Sequence, residues 1–268
     1  MRADFHMHTS FSTDAQISPE QMIQGAITKG MHTICITDHM DIDFSNNPNE
    51  FTFDTAKYVT VLRLLQEKYK ELIDVRIGVE TGLQPHLRTA LHHYVNQYPF
   101  DFVIGSVHLI QGEDPYSGGL FKDKTDEEAY RLAFEETLKN VQENSDFDVL
   151  GHLDYVVRYG KHQSESYSCY KYADCIDEIL KKLISNGKGL EINTAGLKYG
   201  LRFAHPHAEI LKRYKELGGE IITIGSDAHQ PKHIAYDFSK AGEVLLQCGF
   251  KYYAIFKERK VIFESVEL

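Results

Sequence analysis

At six places along the chain a short apolar run ends in histidine or a carboxylate, and amphipathic stretches separate the runs. Residues 2–8 close on His6 and His8, MHTICIT leads into Asp38 and His39, and VRIGVE ends in Glu80. DFVIGSVH ends in His108, FDVLGH in His152, and EIITIGSD in Asp227 with His229 just beyond. GLEINT reads as a further strand between the last two. Strands alternating with helices build parallel βαβ units. In a closed barrel of such units all C-terminal strand ends meet at one mouth, where enzyme sites of this architecture form. The pattern predicts an α/β fold: a single TIM-like barrel over residues 1–268, short of eight units, with its donors gathered at the C-terminal rim. No Pro/Gly/Ser-rich linker or low-complexity tract interrupts it.

Local signals agree with this alternation. Ser18, Pro19 and Gln21 supply an N-cap, an N1 proline and a capping-box partner for a helix that Gly30 ends. Thr125 and Glu128 make a second capping box, opening a helix that reaches about residue 144. Tyr58, Val61, Leu62, Leu65 and Tyr69 form one face of a helix over 54–70. Further helices are expected over 85–96, 169–186, 206–217 and 238–247, and two closing strands, KYYAIF and KVIFESV, are expected to pair.

Composition narrows the function classes. A formal charge of -10 argues against holding nucleic acid on a basic surface. No apolar run is long enough for a membrane span, and the first residues lack the apolar core of a secretory signal. Cys35, Cys169, Cys175 and Cys248 form no CxxC pair, which suits reduced thiols in a cytoplasmic enzyme.

The histidines carry the chemistry. His6 and His8 are two apart on a strand and so share a face, where both imidazoles can reach one ion. Any one strand-end histidine is ordinarily just a hydrogen-bonded side chain, but six strands repeating the feature in phase point to a shared centre. Nitrogen and oxygen donors without thiolate fit zinc, manganese or iron. Eight or nine donors exceed what one ion uses, so two to three divalent ions are expected, some bridged by Glu80 or Asp227. Closely spaced metals acidify a bridging water and clamp a displaced oxygen, which is hydrolytic chemistry suited to phosphate esters. Arg158, Lys198 and Arg202 follow the fifth and sixth strands and could fork onto the free oxygens of a phosphate dianion.

HMH at His6–His8, TDH at Thr37–His39 and SDAH at Ser226–His229, with Glu80, His108 and His152 between them, resemble the polymerase-and-histidinol-phosphatase (PHP) family. The resemblance covers almost the whole chain. It implies a distorted (β/α)7 barrel binding up to three divalent metals. Carried over, one metal takes His6, His8, Glu80 and Asp227, a second takes Glu80, His108 and His152, and a third takes Asp14, His39 and His229. Position 14 departs from members with histidine there, though aspartate remains a competent oxygen ligand.

HTSFSTDA, GHLDYVVRYG and GLEINTAGLKYGLR are similar to the monofunctional L-histidinol-phosphate phosphatases of that family. This implies a small phosphate-ester substrate, attack by a hydroxide shared between two metals, and Asp227, Glu80 and Arg158 as the residues closest to the chemistry. Asp41 and Asp43 would meet the positive charge of a histidinol. Two rival readings stay open: another phosphoesterase of the family, acting on nucleotides, sugar phosphates or oligonucleotides, and a metal-stabilised binding module without catalysis. Monomer and homodimer are both compatible with the sequence.

Overall fold

The computed structural model describes residues 1–45, 47–165 and 167–267. Its centre is a ring of parallel strands. β1 (Ala3–Asp4) pairs with β2 (Thr33–Ile36), and β2 is resumed by β3 (His39–Met40), which pairs with β4 (Asp74–Gly82). β5 (Phe102–Ser106), β6 (Val149–Leu150), β7 (Gly189–Asn193) and β8 (Ile222–Gly225) continue the ladder in chain order. The ring closes where Phe5 N–H donates to Ile224 O at 2.9 Å and Met7 bridges Ala228 in parallel. Counting β2 and β3 as one interrupted strand gives the seven positions of a distorted (β/α)7 barrel.

The first strand is shorter than expected. Its ladder ends at Asp4, whose buried carboxylate accepts the N–H groups of His6, Ser226 and Ala235. Residues 5–8 stay extended between β8 and the β2–β3 bend, with Met7 O accepting from Thr37 N–H and His6 O from Asp227 N–H. Both donors of the HMH motif therefore stand just past the ladder, at the mouth.

The helices pack around the ring. Both capping boxes form, one opening α1 (Pro19–Thr28) and the other opening the fourth helix, α4 (Asp126–Glu143). Gly30 takes the left-handed backbone that ends α1, which glycine adopts without a Cβ penalty. α2 (Thr55–Tyr69) buries Tyr58, Leu62, Leu65 and Tyr69, while Val61 is half-buried at the edge of that face. α3 (Arg88–Gln97) and α5 (Ala173–Ser185) are each preceded by a 3-10 turn, so the regular helices begin a few residues later than the sequence suggests. A short α6 (Ala195–Lys198) follows β7, and α7 (Ala208–Glu216) starts after the Pro206 turn with His207 as its cap. α8 (Phe238–Gln247) leads to β9 (Tyr252–Lys257) and β10 (Lys260–Ser265), an antiparallel hairpin.

That hairpin covers the end of the barrel opposite the mouth. Phe256 packs on Phe102 with ring centroids 5.0 Å apart, and Phe102 meets Phe5 edge-on at 5.3 Å. Arg259 N–H donates to Asp101 O just before β5 begins. The apolar plug leaves the polar end as the open one. Among the described residues no helix is long and apolar enough to cross a membrane.

Candidate metal centre

Glu80 lies two residues before the end of β4, in register with His39 of β3, and is fully buried. Five imidazoles converge on its carboxylate. Oε2 lies 3.2 Å from His6 Nε2, 3.5 Å from His8 Nε2 and 3.0 Å from His39 Nδ1. Oε1 lies 3.2 Å from His108 Nε2 and 3.0 Å from His152 Nε2, and it also accepts the Ser106 hydroxyl at 2.6 Å. Around this knot, Asp227 Oδ1 is 3.4 Å from His8 Nε2, and His229 Nε2 is 3.0 Å from Asp14 Oδ2. His39 Nε2 is 3.6 Å from the same Asp14 oxygen.

Protein hydrogen bonds alone do not satisfy this arrangement. Glu80 Oε2 and His39 Nδ1 are buried without a properly aimed partner, and buried polar atoms are rarely left so. His6 Nε2 and His8 Nε2 face each other at 3.1 Å. Two nitrogens on one tetrahedral zinc, each at about 2.05 Å, stand roughly 3.3 Å apart. The donor set therefore fits divalent cations. His6, His8 and Glu80 bring ligand atoms to one point, as do Glu80, His108 and His152, and as do His8, His39 and His229. Asp227 borders the first group and Asp14 the third.

Electrostatics point the same way. Burial alone would raise the Glu80 carboxyl, but the charges of His6, His39 and His108 hold it well below the usual glutamate range. Burial also disfavours a charged His6, yet Glu191 and Glu80 outweigh it and push its pKa well up. His108 is pushed up to about 10, because Asp41 and Glu80 overcome its desolvation. His8, buried and facing His39 and His229, falls to about 3. Asp227 is held well below the usual range: desolvation opposes this, but His8, His6, His229 and Lys198 prevail. The site is thus arranged to hold positive charge among ionised carboxylates.

Further carboxylates aim the ligands. Glu191 Oε1 lies 2.6 Å from His6 Nδ1, and its Oε2 accepts the His152 N–H at 2.9 Å. Asp41 Oδ2 lies 2.8 Å from His108 Nδ1. Each acid fixes the proton on the far ring nitrogen and leaves Nε2 free to face the centre, the usual role of an outer carboxylate at a metal-bound histidine. Asp38 accepts from the backbone and hydroxyls of Thr9 and Ser12, which ties down the loop after His8. A Cβ at Gly225 would overlap both Glu191 Oε1 and His6 Cβ, so only glycine lets this acid and imidazole meet.

The mouth opens into a cleft of about 650 Å³ bordered by Asp14, His39, Glu80, His108, His152, Asp227 and His229. Arg158 borders it too, its guanidinium over the rings of Tyr155, Tyr159 and Tyr199 at 5.0, 4.9 and 4.3 Å. The other residues expected to meet substrate are placed differently. Lys198 Nζ donates to the Asp227 carbonyl at 2.9 Å and so braces the turn that carries this ligand. Arg202 is exposed and does not border the cleft. Asp43 is 53% exposed and pairs with His86 outside it, while Asp41 borders the cleft, with Oδ2 on His108 and Oδ1 buried without a partner. Asp114 is a further acid on the cleft wall, beside Asp14, Asp41, Glu80 and Asp227.

Sequence reasoning passed over Glu191, Asp114 and Ser106. Glu191 carried a usable signal: a lone acid between Leu190 and Ile192 in a strand buried on every residue has to be partnered.

A family model described as the PHP domain matches residues 4–195. The chain belongs to the PHP family. A histidinol-phosphatase of Lactococcus lactis is 33% identical over 97% of this chain and 96% of its own length. A Clostridium acetobutylicum relative, called a probable histidinol-phosphatase, is 32% identical over 97% of this chain and 98% of its own. A solved structure of histidinol phosphate phosphatase from Lactococcus lactis, complexed with zinc, L-histidinol and phosphate, matches with a TM-score of 0.89. It is 33% identical, and the match covers 97% of this chain and 98% of that one. The PHP assignment accounts for the barrel and for a histidine–carboxylate cluster at its mouth.

Proposed function

We propose that this chain is a metal-dependent phosphomonoesterase that hydrolyses L-histidinol phosphate to L-histidinol and inorganic phosphate. The observation that carries the reading is the convergence of five imidazoles on Glu80 at the base of a cleft that Arg158 also borders. Similarity to a protein solved with zinc, L-histidinol and phosphate supports this choice among the phosphoesterases of the family.

Two or three divalent ions would be held by His6, His8, Glu80 and Asp227, by Glu80, His108 and His152, and by Asp14, His39 and His229. Zinc is the leading candidate. When bound, such ions acidify water and neutralise phosphoryl charge. The chain's own residues do the positioning. Glu191 and Asp41 present His6 and His108 with their Nε2 atoms toward the centre. Lys198 holds the Asp227 turn, where φ is 52°, a left-handed conformation that aspartate tolerates better than most residues.

Arg158 supplies a permanent cation. Burial opposes its charge, but the neighbouring Tyr159, Tyr155 and Asp227 shift its pKa further up. Its planar fork suits two oxygens of a phosphate monoester. The three tyrosine rings beneath it limit its rotamers before substrate arrives, so little entropy is lost on binding. Phe44, Phe51 and Tyr116 add apolar wall for an imidazole ring, and Asp114 is placed to meet an ammonium group. Burial raises the Asp114 carboxyl, as expected for an acid awaiting a cation in a partly dry cleft.

The test is phosphate release from L-histidinol phosphate before and after chelation, with metal content read on the same samples. Sugar phosphates and single-stranded oligonucleotides serve as competitors. Chelation should abolish release and zinc should restore it. Preferential cleavage of oligonucleotides, or stoichiometric metal without hydrolysis of any ester, would overturn the assignment.

A further inference from the structure

β10 is an edge strand with an apolar surface and a self-complementary sequence. Among the described residues its sole ladder partner is β9, so its outer edge presents unpaired backbone groups. Such an edge is a template for another strand unless it is blocked by proline, a bulge or inward-pointing charge. The sequence Lys260–Ser265 has no proline, and its pairing with β9 runs through six residues without a bulge. Three consecutive apolar side chains are open to solvent: Val261 at 37%, Ile262 at 43% and Phe263 at 46%.

The hairpin geometry decides which backbone groups point outward. Glu258 and Arg259 both have positive φ, the signature of a two-residue type I′ turn. The pair flanking such a turn, Lys257 and Lys260, is hydrogen-bonded. Alternation then makes Ile255–Ile262 and Tyr253–Glu264 the next bonded pairs. The N–H and C=O groups of Val261, Phe263 and Ser265 therefore face away from β9. An added antiparallel strand must bond to these odd-numbered residues.

We propose that the partner is a second copy of β10, paired antiparallel about a two-fold axis at Ile262. Odd-to-odd pairing allows only alternate registers of the strand against itself. In the register centred on Ile262, Val261 bonds to the partner's Phe263, and Lys260 stands directly opposite the partner's Glu264. Both charges are met twice, once on each side of the axis. Cross-strand pairs of opposite charge stabilise a ladder, and non-bonded pairs such as this one bring side chains closest. Shifting the axis to Val261 or to Phe263 sets Lys260 or Glu264 against an apolar Ile262 instead. Charge complementarity thus selects one register. Lys260 has no ion pair within the chain among the described residues, and Glu264, which accepts the Tyr253 hydroxyl on Oε2, keeps its other oxygen for a cation.

The result is an isologous dimer with a four-stranded antiparallel sheet across the axis. The hairpin covers the end of the barrel opposite the metal centre, so both mouths face outward and substrate reaches each independently. A single strand pairing buries less than the roughly 1,200 Å² of a stable interface, so the dimer should form reversibly with rising concentration.

Sedimentation equilibrium across a concentration series tests this. The weight-average mass of the wild type should climb from one chain toward two. Ile262→Lys places two ammonium groups at the axis, and Lys260→Glu sets like charges opposite Glu264; each should leave a monomer with unchanged histidinol-phosphate hydrolysis, which shows that the variant is folded. The double swap Lys260→Glu/Glu264→Lys should restore the wild-type mass curve. A wild type that stays monomeric, a dimer indifferent to both single changes, or a swap that fails to restore association each overturns the proposal.

Discussion

Glu191→Gln should weaken zinc binding by an acid that sits outside the immediate ligand set. In the native site one oxygen of Glu191 accepts from His6 Nδ1 at 2.6 Å, while the other accepts from the His152 N–H at 2.9 Å and the Asn193 amide at 3.2 Å. Glutamine has one acceptor and one donor end, so it cannot serve both sides. With its carbonyl toward His152 and Asn193, its NH2 faces His6 Nδ1 and favours the tautomer carrying the proton on Nε2, the atom that must be bare to bind metal. Turned the other way, its NH2 opposes the His152 N–H and leaves a buried donor unsatisfied. Either orientation also loses a charge-assisted hydrogen bond worth about 1.5–3 kcal/mol. Loss of an outer-shell partner typically costs 10- to 100-fold in metal affinity, or about 1.4–2.7 kcal/mol, so the two scales agree. The assay is competitive zinc titration of the metal-free protein against a chromophoric chelator, with melting temperature as a control for folding. Wild-type zinc affinity and stoichiometry in Glu191→Gln would refute the reasoning.

Three other outcomes are expected. Asp227→Asn should nearly abolish turnover while circular dichroism stays native, because asparagine tolerates the left-handed backbone at this position; wild-type turnover would remove Asp227 from the site. Arg158→Met should lower kcat/KM by about 10- to 100-fold, the worth of a charge-assisted fork on a phosphate, with zinc content unchanged by elemental analysis. Without metal, Asp41 and Glu80 outweigh desolvation and push His108 up to about 10 from an ordinary value of about 6.5, so the charged ring supports the fold fully below the lower value and this support is lost as pH rises through the higher one. Zinc must displace that proton, so its binding should release protons near neutral pH and tighten as pH rises. Calorimetry in buffers of different protonation enthalpy measures the release, and finding none would count against the coupling.

The barrel and its donors were legible because each strand announces its end with a residue that cannot be left in an apolar interior. His6, His8, His39, Glu80, His108, His152 and Asp227 all stand where a buried strand reaches the mouth, so alternation of strand and helix placed them together. Residues whose roles depend on side-chain direction were not readable in this way. Asp41 borders the cleft as expected, but its second role, holding His108 sixty-seven residues away in the chain, exists only after folding. Lys198, at the end of α6, and Arg202 lie in one short segment after β7. The first turns back to a carbonyl and the second points to solvent, and no periodicity separates them. The break in β1 has a similar origin, since two of the three backbone N–H groups that Asp4 accepts come from residues more than two hundred positions away.

Gly225 extends the list of positions on which the centre depends to one that offers no side chain at all. A methyl group there would wedge between Glu191 and His6, so Gly225→Ala should mimic loss of the acid even though every donor is still encoded. Strand β8 thus contributes a vacancy just before the turn that carries Asp227, and a tally of nitrogen and oxygen atoms misses it. Any transplant of this donor set onto another barrel would have to reproduce the gap along with the residues around it.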